Sequence, residues 1–176
     1  IPAAICRARG AEFLVPVLRK LTSMDPSLKI IQFGGVASID EDGGFDLSFR
    51  DNFGDLFTIF PKISPDDYLA IISRSALVIH LSHSDGSSRA VLESLALGRD
   101  VLALKHPGLN HLQRYSRLLF CDADARSIDA ELMRWFSMSK LSGDCGPRLN
   151  EDLLSTLGVQ KVGDRVLERL FKEGQC

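Results

Sequence analysis

Short apolar runs alternate with amphipathic stretches along the chain. Six runs read as strands: Pro2-Ala3-Ala4-Ile5-Cys6, Leu28–Phe33, Leu56–Phe60, Ala76–Leu81, Asp100–Leu104 and Leu118–Cys121. The run Ala76–Leu81 is rich in β-branched residues and lacks polar alternation, which suits a strand buried on both faces. Between the runs, apolar residues fall at helical spacing. They are Phe13, Leu14, Val17, Leu18 and Leu21, then Leu69 and Ile72, then Val91, Leu92, Leu95 and Ala96, then Ile128, Leu132, Trp135 and Phe136. A last amphipathic helix is predicted over Val159–Glu173, through Val162, Val166, Leu167 and Leu170. This alternation predicts a single α/β domain: a doubly wound, Rossmann-like parallel sheet of about six strands with helices on both faces and right-handed crossovers.

Several boundaries carry their own signals. Ser64-Pro65-Asp66-Asp67 is a helix start, with a capping serine, a proline at the first position and acids in the first turn. Gly98 stops the helix that opens at Arg89, because glycine takes the left-handed conformation of a helix end. Pro16 is expected to kink the first helix unless it falls in the first turn. Asp25-Pro26 ends that unit. Ala37–Asp55, rich in Asp, Glu and Gly, reads as a solvated loop, with a short helix suggested by Phe45, Phe49 and Phe53. Ser139–Asn150 also reads as a loop.

The chemistry gathers in Ala76–Leu104, which reads strand, loop, helix, strand. In an open parallel sheet, ligands sit beyond the carboxyl ends of the strands, where helix N-termini also point. The loop Ser82–Ser88 faces such a crevice and contains Asp85. Ser87 and Ser88, with the helix N-terminus behind them, offer donors to a phosphate. Glu93 follows in that helix, separated from Asp85 by seven residues. An ordinary polar residue on an outer helix face is the alternative reading of Glu93.

Composition narrows the function classes. The 176 residues carry a net charge of −2, which argues against nucleic acid as the main partner. No run approaches the ~20 apolar residues of a membrane span, although peripheral membrane association stays open. Cys6, Cys121, Cys145 and Cys176 have no zinc-ligand spacing, and Cys6 and Cys121 sit in strand-like runs as buried thiols. A reducing, cytoplasmic setting is expected. The chain opens on Ile1 and reads as part of a longer protein.

The stretch Asp85-Gly86 followed by Leu92-Glu93-Ser94-Leu95-Ala96-Leu97-Gly98 resembles the nucleotide-sugar motif of the retaining GT-B glycosyltransferases of the group 1 type. In that family two glutamates flank seven residues. Asp85 stands for the first glutamate, and Ser87-Ser88 replaces Phe-Gly. The opening strand, Arg7-Ala8-Arg9-Gly10, the helix after it and the strand ending at Gly34 resemble the start of the family's C-terminal domain. Lys105–His111 lies where the family has Gly-Gly-x-x-Glu, with His111 at the glutamate.

The resemblance implies a donor-binding domain of a hexosyltransferase, with no obligatory metal or other cofactor. Glu93 would accept the ribose hydroxyls and Asp85 would orient the sugar. Arg7 and Arg9 would neutralise the diphosphate, and Asp85, Arg7 and Arg9 are the catalytic candidates. Gly86, Ser87, Ser88, Gly34 and His111 complete the substrate-binding set. Two solvated arginines at a turn and a surface histidine are the alternatives for Arg7, Arg9 and His111. The resemblance also implies a partner domain on the N-terminal side that holds the acceptor, outside these residues, so that this chain alone is expected to be inactive. A non-catalytic GT-B-like binding or assembly module is the second reading. An unrelated nucleotide binder is the third, disfavoured by the lack of Gly-x-Gly-x-x-Gly and of a P-loop.

Overall fold

A computed structural model describes residues 10–34, 53–60, 62–84, 88–142, 150 and 153. Helix α1 (Ala11–Met24) leads to β1 (Ile30–Phe33). A 3₁₀ turn (Gly54–Leu56) runs into β2 (Phe57–Phe60), followed by α2 (Pro65–Ser73), β3 (Leu77–His80), α3 (Arg89–Ala96) and β4 (Asp100–Leu104). A second 3₁₀ segment (Pro107–Leu112), β5 (Leu118–Cys121) and α4 (Ala125–Ser142) complete the order.

All strand pairs are parallel. β1 pairs with β2, with Ile30 opposite Phe57 and Phe33 opposite Phe60. β4 lies between β3 and β5, with Leu77 opposite Asp100 and Val101 opposite Leu118. The fold is therefore α/β with parallel strands. It differs from the expected single sheet of about six strands. The described residues hold five strands, in sheets of two and three, and no ladder among them joins β1 or β2 to β3. The predicted strand Pro2–Cys6 lies outside the described residues, as do most of Ala37–Asp55 and the predicted helix Val159–Glu173.

Local signals explain most boundaries. Ser64 Oγ accepts the Asp67 amide at 3.1 Å, so α2 starts at Pro65 as its capping residues require. Ser88 Oγ likewise accepts the Val91 amide at 3.4 Å and opens α3. α1 runs continuously through Pro16, whose ring is exposed. The proline removes only the bond to the Glu12 carbonyl, one turn from the helix start, which α1 tolerates. The expected loop from Ser139 is corrected: α4 continues to Ser142.

The three-stranded sheet is buried on both faces. Leu102 and Leu104 of β4 join a core with Leu14, Leu18 and Leu21 of α1 and Leu132 and Trp135 of α4. Val101 and Ala103 point the other way, to Leu69 and Ile72 of α2 and Val91 and Leu95 of α3. Strand periodicity of two thus sends alternate residues of one strand into two cores. At the amino end of β4, Asp100 ties the layers together. Its Oδ2 accepts Trp135 Nε1–H from α4 at 3.0 Å, and its Oδ1 accepts Arg117 Nη1–H at 3.0 Å. Cys121 is a buried free thiol, and burial pushes its pKa up to about 12. No helix among the described residues is long and apolar enough to cross a membrane.

Gly10 seats the start of α1 on the end of β3. Its φ is +69°, and a Cβ there would lie 2.0 Å from the Leu81 carbonyl oxygen. Gly54, with φ +52°, has nothing within 4 Å of the same position. Comparing the two separates strain from close approach. In urea unfolding, Gly54→Ala should cost about 1 kcal/mol, the backbone term alone. Gly10→Ala should cost at least about 3 kcal/mol, because the strand or the helix must also move. Equal losses would show that Leu81 does not confine Gly10.

Candidate functional site

The carboxyl ends of β3 and β4 and the N-termini of α1 and α3 meet at one edge of the three-stranded sheet. Parallel pairing makes this edge: each strand delivers its following loop to the same side. The loop after β3 is fastened to α1. His83 Nε2 and Glu12 Oε1 are 2.5 Å apart, and the His83 ring tilts against Phe13 at 5.9 Å. Ser82 Oγ donates to the Ser84 carbonyl at 3.0 Å, turning the chain before α3. On the neighbouring strand, Lys105 Nζ reaches Asp122 at 3.0 Å.

Two polar atoms at this edge, Glu12 Oε2 and His106 Nε2, are shielded from solvent and bond to nothing among the described residues. Buried polar atoms are almost always paired, with protein, water or a bound molecule. His106 is 6 % exposed and lies two residues beyond the end of β4.

Glu93 lies on α3, one turn behind the capped N-terminus. Its side chain is 15 % exposed, so it does not stand on an outer face. Arg89 Nε donates to Glu93 Oε1 at 3.0 Å across one helical turn. From α2, the Tyr68 phenol lies near enough to the same carboxylate for the two to influence each other's protonation. Burial raises the Glu93 pKa above its ordinary 4.5, against the lowering pull of Arg89 and of the Tyr68 hydroxyl. Burial and the adjacent Glu93 charge push the Tyr68 phenol above its usual range. Phe33, the last residue of β1, meets the Tyr68 ring edge-on at 5.0 Å. Tyr68 thus packs on the end of β1 from α2, the helix that lies against the one carrying Glu93.

Of the residues singled out by sequence, Glu93, Ser88, Gly34 and His111 are described. Ser88 is buried at the start of α3. The Gly34 amide donates to the Phe60 carbonyl at 3.0 Å, so it extends the β1–β2 ladder and is not available to a ligand. His111 is exposed in the last turn of the 3₁₀ segment. Arg7, Arg9, Asp85, Gly86 and Ser87 lie outside the described residues. Sequence reasoning passed over Tyr68, Glu12, His83 and His106. Glu12 and His83 are 71 residues apart, and no local pattern pairs them. Tyr68 is on a different helix from Glu93. His106 did carry a signal, as a histidine two residues behind a buried strand.

A cleft of about 450 Å³ opens elsewhere, at the amino ends of β1 and β3, lined by Leu28, Ile31, Ile71, Leu77 and Trp135. Ser27, Lys29, Arg74 and Ser75 supply its polar lining, at the opposite end of the strands from the carboxyl edge. The described residues contain no cluster of three or more His, Cys, Asp or Glu side chains placed to hold a metal. No family model matches the chain, and no curated protein matches it.

The raised Glu93 pKa makes a signed prediction. The folded state binds this proton more tightly than the unfolded chain, so stability falls as pH rises from about 4.5 through the folded pKa. At neutral pH the buried charge costs stability. Glu93→Gln should therefore raise the Tm at pH 7, and the gain should shrink as the pH is lowered towards 4.5. A melting series across that range checks it. A loss of Tm at pH 7 would mean that the ion pair with Arg89 outweighs desolvation.

Proposed function

We propose that this chain is the donor-binding domain of a retaining, hexosyltransferase-type glycosyltransferase with a doubly wound GT-B half. It holds a nucleotide-sugar in the cytoplasm while a domain on the N-terminal side supplies the acceptor. The observation that carries the reading is Glu93. Its carboxylate is withdrawn from water at a cost and bonded by the Arg89 guanidinium, in a helix whose capped N-terminus faces the carboxyl edge of the sheet. An ionised carboxylate offers about four acceptor positions, enough for Arg89 and both ribose hydroxyls.

The remaining roles follow by position. The Ser88 end of α3 directs amide N–H groups and the positive end of the helix dipole towards the diphosphate. Asp85 orients the sugar ring. Arg7 and Arg9 balance the charge that develops on the departing diphosphate, which is electrostatic stabilisation of the transition state. Glu12 favours a second reading. A carboxylate in the first turn of α1 repels an anion there, as fits a GT-B-like module that binds or assembles without catalysis.

Calorimetry with UDP, GDP and ADP, and with their glucose and mannose conjugates, tests the proposal. One nucleotide should bind, and Glu93→Ala should weaken it by about 1–3 kcal/mol through the lost hydrogen bonds. Nucleotide binding without sugar transfer by the full-length protein would select the second reading. Binding that ignores Glu93→Ala would reject both.

A further inference from the structure

α3 has eight residues, too few to hold a helix on their own, so its order depends on what it packs against and on how its ends are closed. A helix leaves its last carbonyls without partners inside it. At the end of α3 the Glu93, Ser94 and Leu95 carbonyls accept the amides of Leu97, Arg99 and Gly98, at 3.0, 2.9 and 3.0 Å. That local turn closes most of the helix end. It does not reach the Ala96 carbonyl, in a residue 2 % exposed. The donor to Ala96 comes from beyond α4: it is the Asn150 amide, at 2.9 Å.

Asn150 is anchored there by a turn of its own. Its Oδ1 accepts the Leu153 amide at 3.2 Å, the bond with which an asparagine caps a first turn of helix. Leu153 is 2 % exposed, in the same core as Val91 and Leu95 of α3. We infer that Asn150 and Leu153 form a strap on α3: seating them closes and packs the carboxyl end of the helix, and lifting them frees the helix, with Ser88 and Glu93, while the sheet stays intact. The sheet does not depend on the strap. β4 is paired on both sides, and Val101, Leu102 and Ala103 are 0 % exposed. α3 lies outside it, against β3, β4 and α2. Withdrawing the Asn150 donor leaves a buried carbonyl unpaired, which weakens the helix and not the ladders. Because α3 is short, the loss is felt at its amino end, where Ser88 caps the Val91 amide. A segment beyond α4 thus controls the order of the helix that carries the candidate site, whatever ligand that site takes.

Native-state amide hydrogen exchange on the full chain tests the strap. Asn150→Pro removes the donor to Ala96, because proline has no N–H. Leu153→Ala removes the buried side chain. In both variants the amides of Val91, Leu92, Leu97 and Arg99 should exchange about tenfold faster. The amides of Val101 and Lys105, bonded to the Arg117 and Cys121 carbonyls, should keep their rates. Asn150→Ala, which keeps the donor to Ala96, should raise exchange in α3 less. Equal acceleration at Val101 and Lys105 would overturn the strap, by making Leu153 a part of one common core. Acceleration confined to Leu97 and Arg99 would overturn it too, by showing that only one end frays. So would unchanged exchange throughout α3 in Asn150→Pro. That variant alters a partly exposed residue, so it decides the question should Leu153→Ala fail to fold. None of these rates involves a ligand, so the donor-site reading stands or falls separately.

Discussion

The close approach of Gly10 to the Leu81 carbonyl sets the geometry of the carboxyl edge. Only a residue without a Cβ lets the α1 backbone meet the end of β3, with 2.0 Å between the oxygen and where a Cβ would stand. That seat brings Glu12 within reach of His83 and so fastens the loop that leads to α3. It also delivers the apolar face of α1 to Ile79, Leu102 and Leu119 on the sheet. Core packing and site geometry therefore share one contact. A shift of α1 would disturb the loop after β3 as much as the core.

The two cores explain why so little of this sheet is negotiable. β4 sends alternate residues to opposite faces, and Val101, Leu102 and Ala103 are all 0 % exposed. A strand filled on both sides cannot slip by one residue without exchanging its two sets of partners. The register holds Asp100 opposite Leu77, where its carboxylate bridges Trp135 and Arg117. With the amino end thus tied by polar bonds, the loops at the other end are free to carry chemistry, as loops on a rigid scaffold do.

Glu93 shows the opposite compromise. Its neighbours do not fully offset the loss of water, and its carboxyl holds its proton more tightly than an exposed one. Such a group is poorly explained by stability. A carboxylate perturbed by burial is a candidate for a binding or catalytic role. Arg89 and the nearby Tyr68 hydroxyl pull the other way, towards the ionised form that accepts hydroxyl donors.

The elements with strong local signals were legible from sequence: the capping serine and proline of α2, the buried runs that became β4 and β5, and the helical stripe Ile128–Trp135. So was the motif helix with Glu93. These depend on interactions a few residues apart, which composition and periodicity record. The division into sheets of two and three strands was not legible, because pairing is a relation between distant segments. The end of α4 was missed too, since Ser139 and Ser142 continue a helix that its inner face had already docked. The approach of Tyr68 to Glu93, the Glu12–His83 contact and the commitment of the Gly34 amide to Phe60 were decided only by the tertiary structure. Each joins residues whose proximity is set by how the helices pack on the sheet, and no local pattern of residues encodes that.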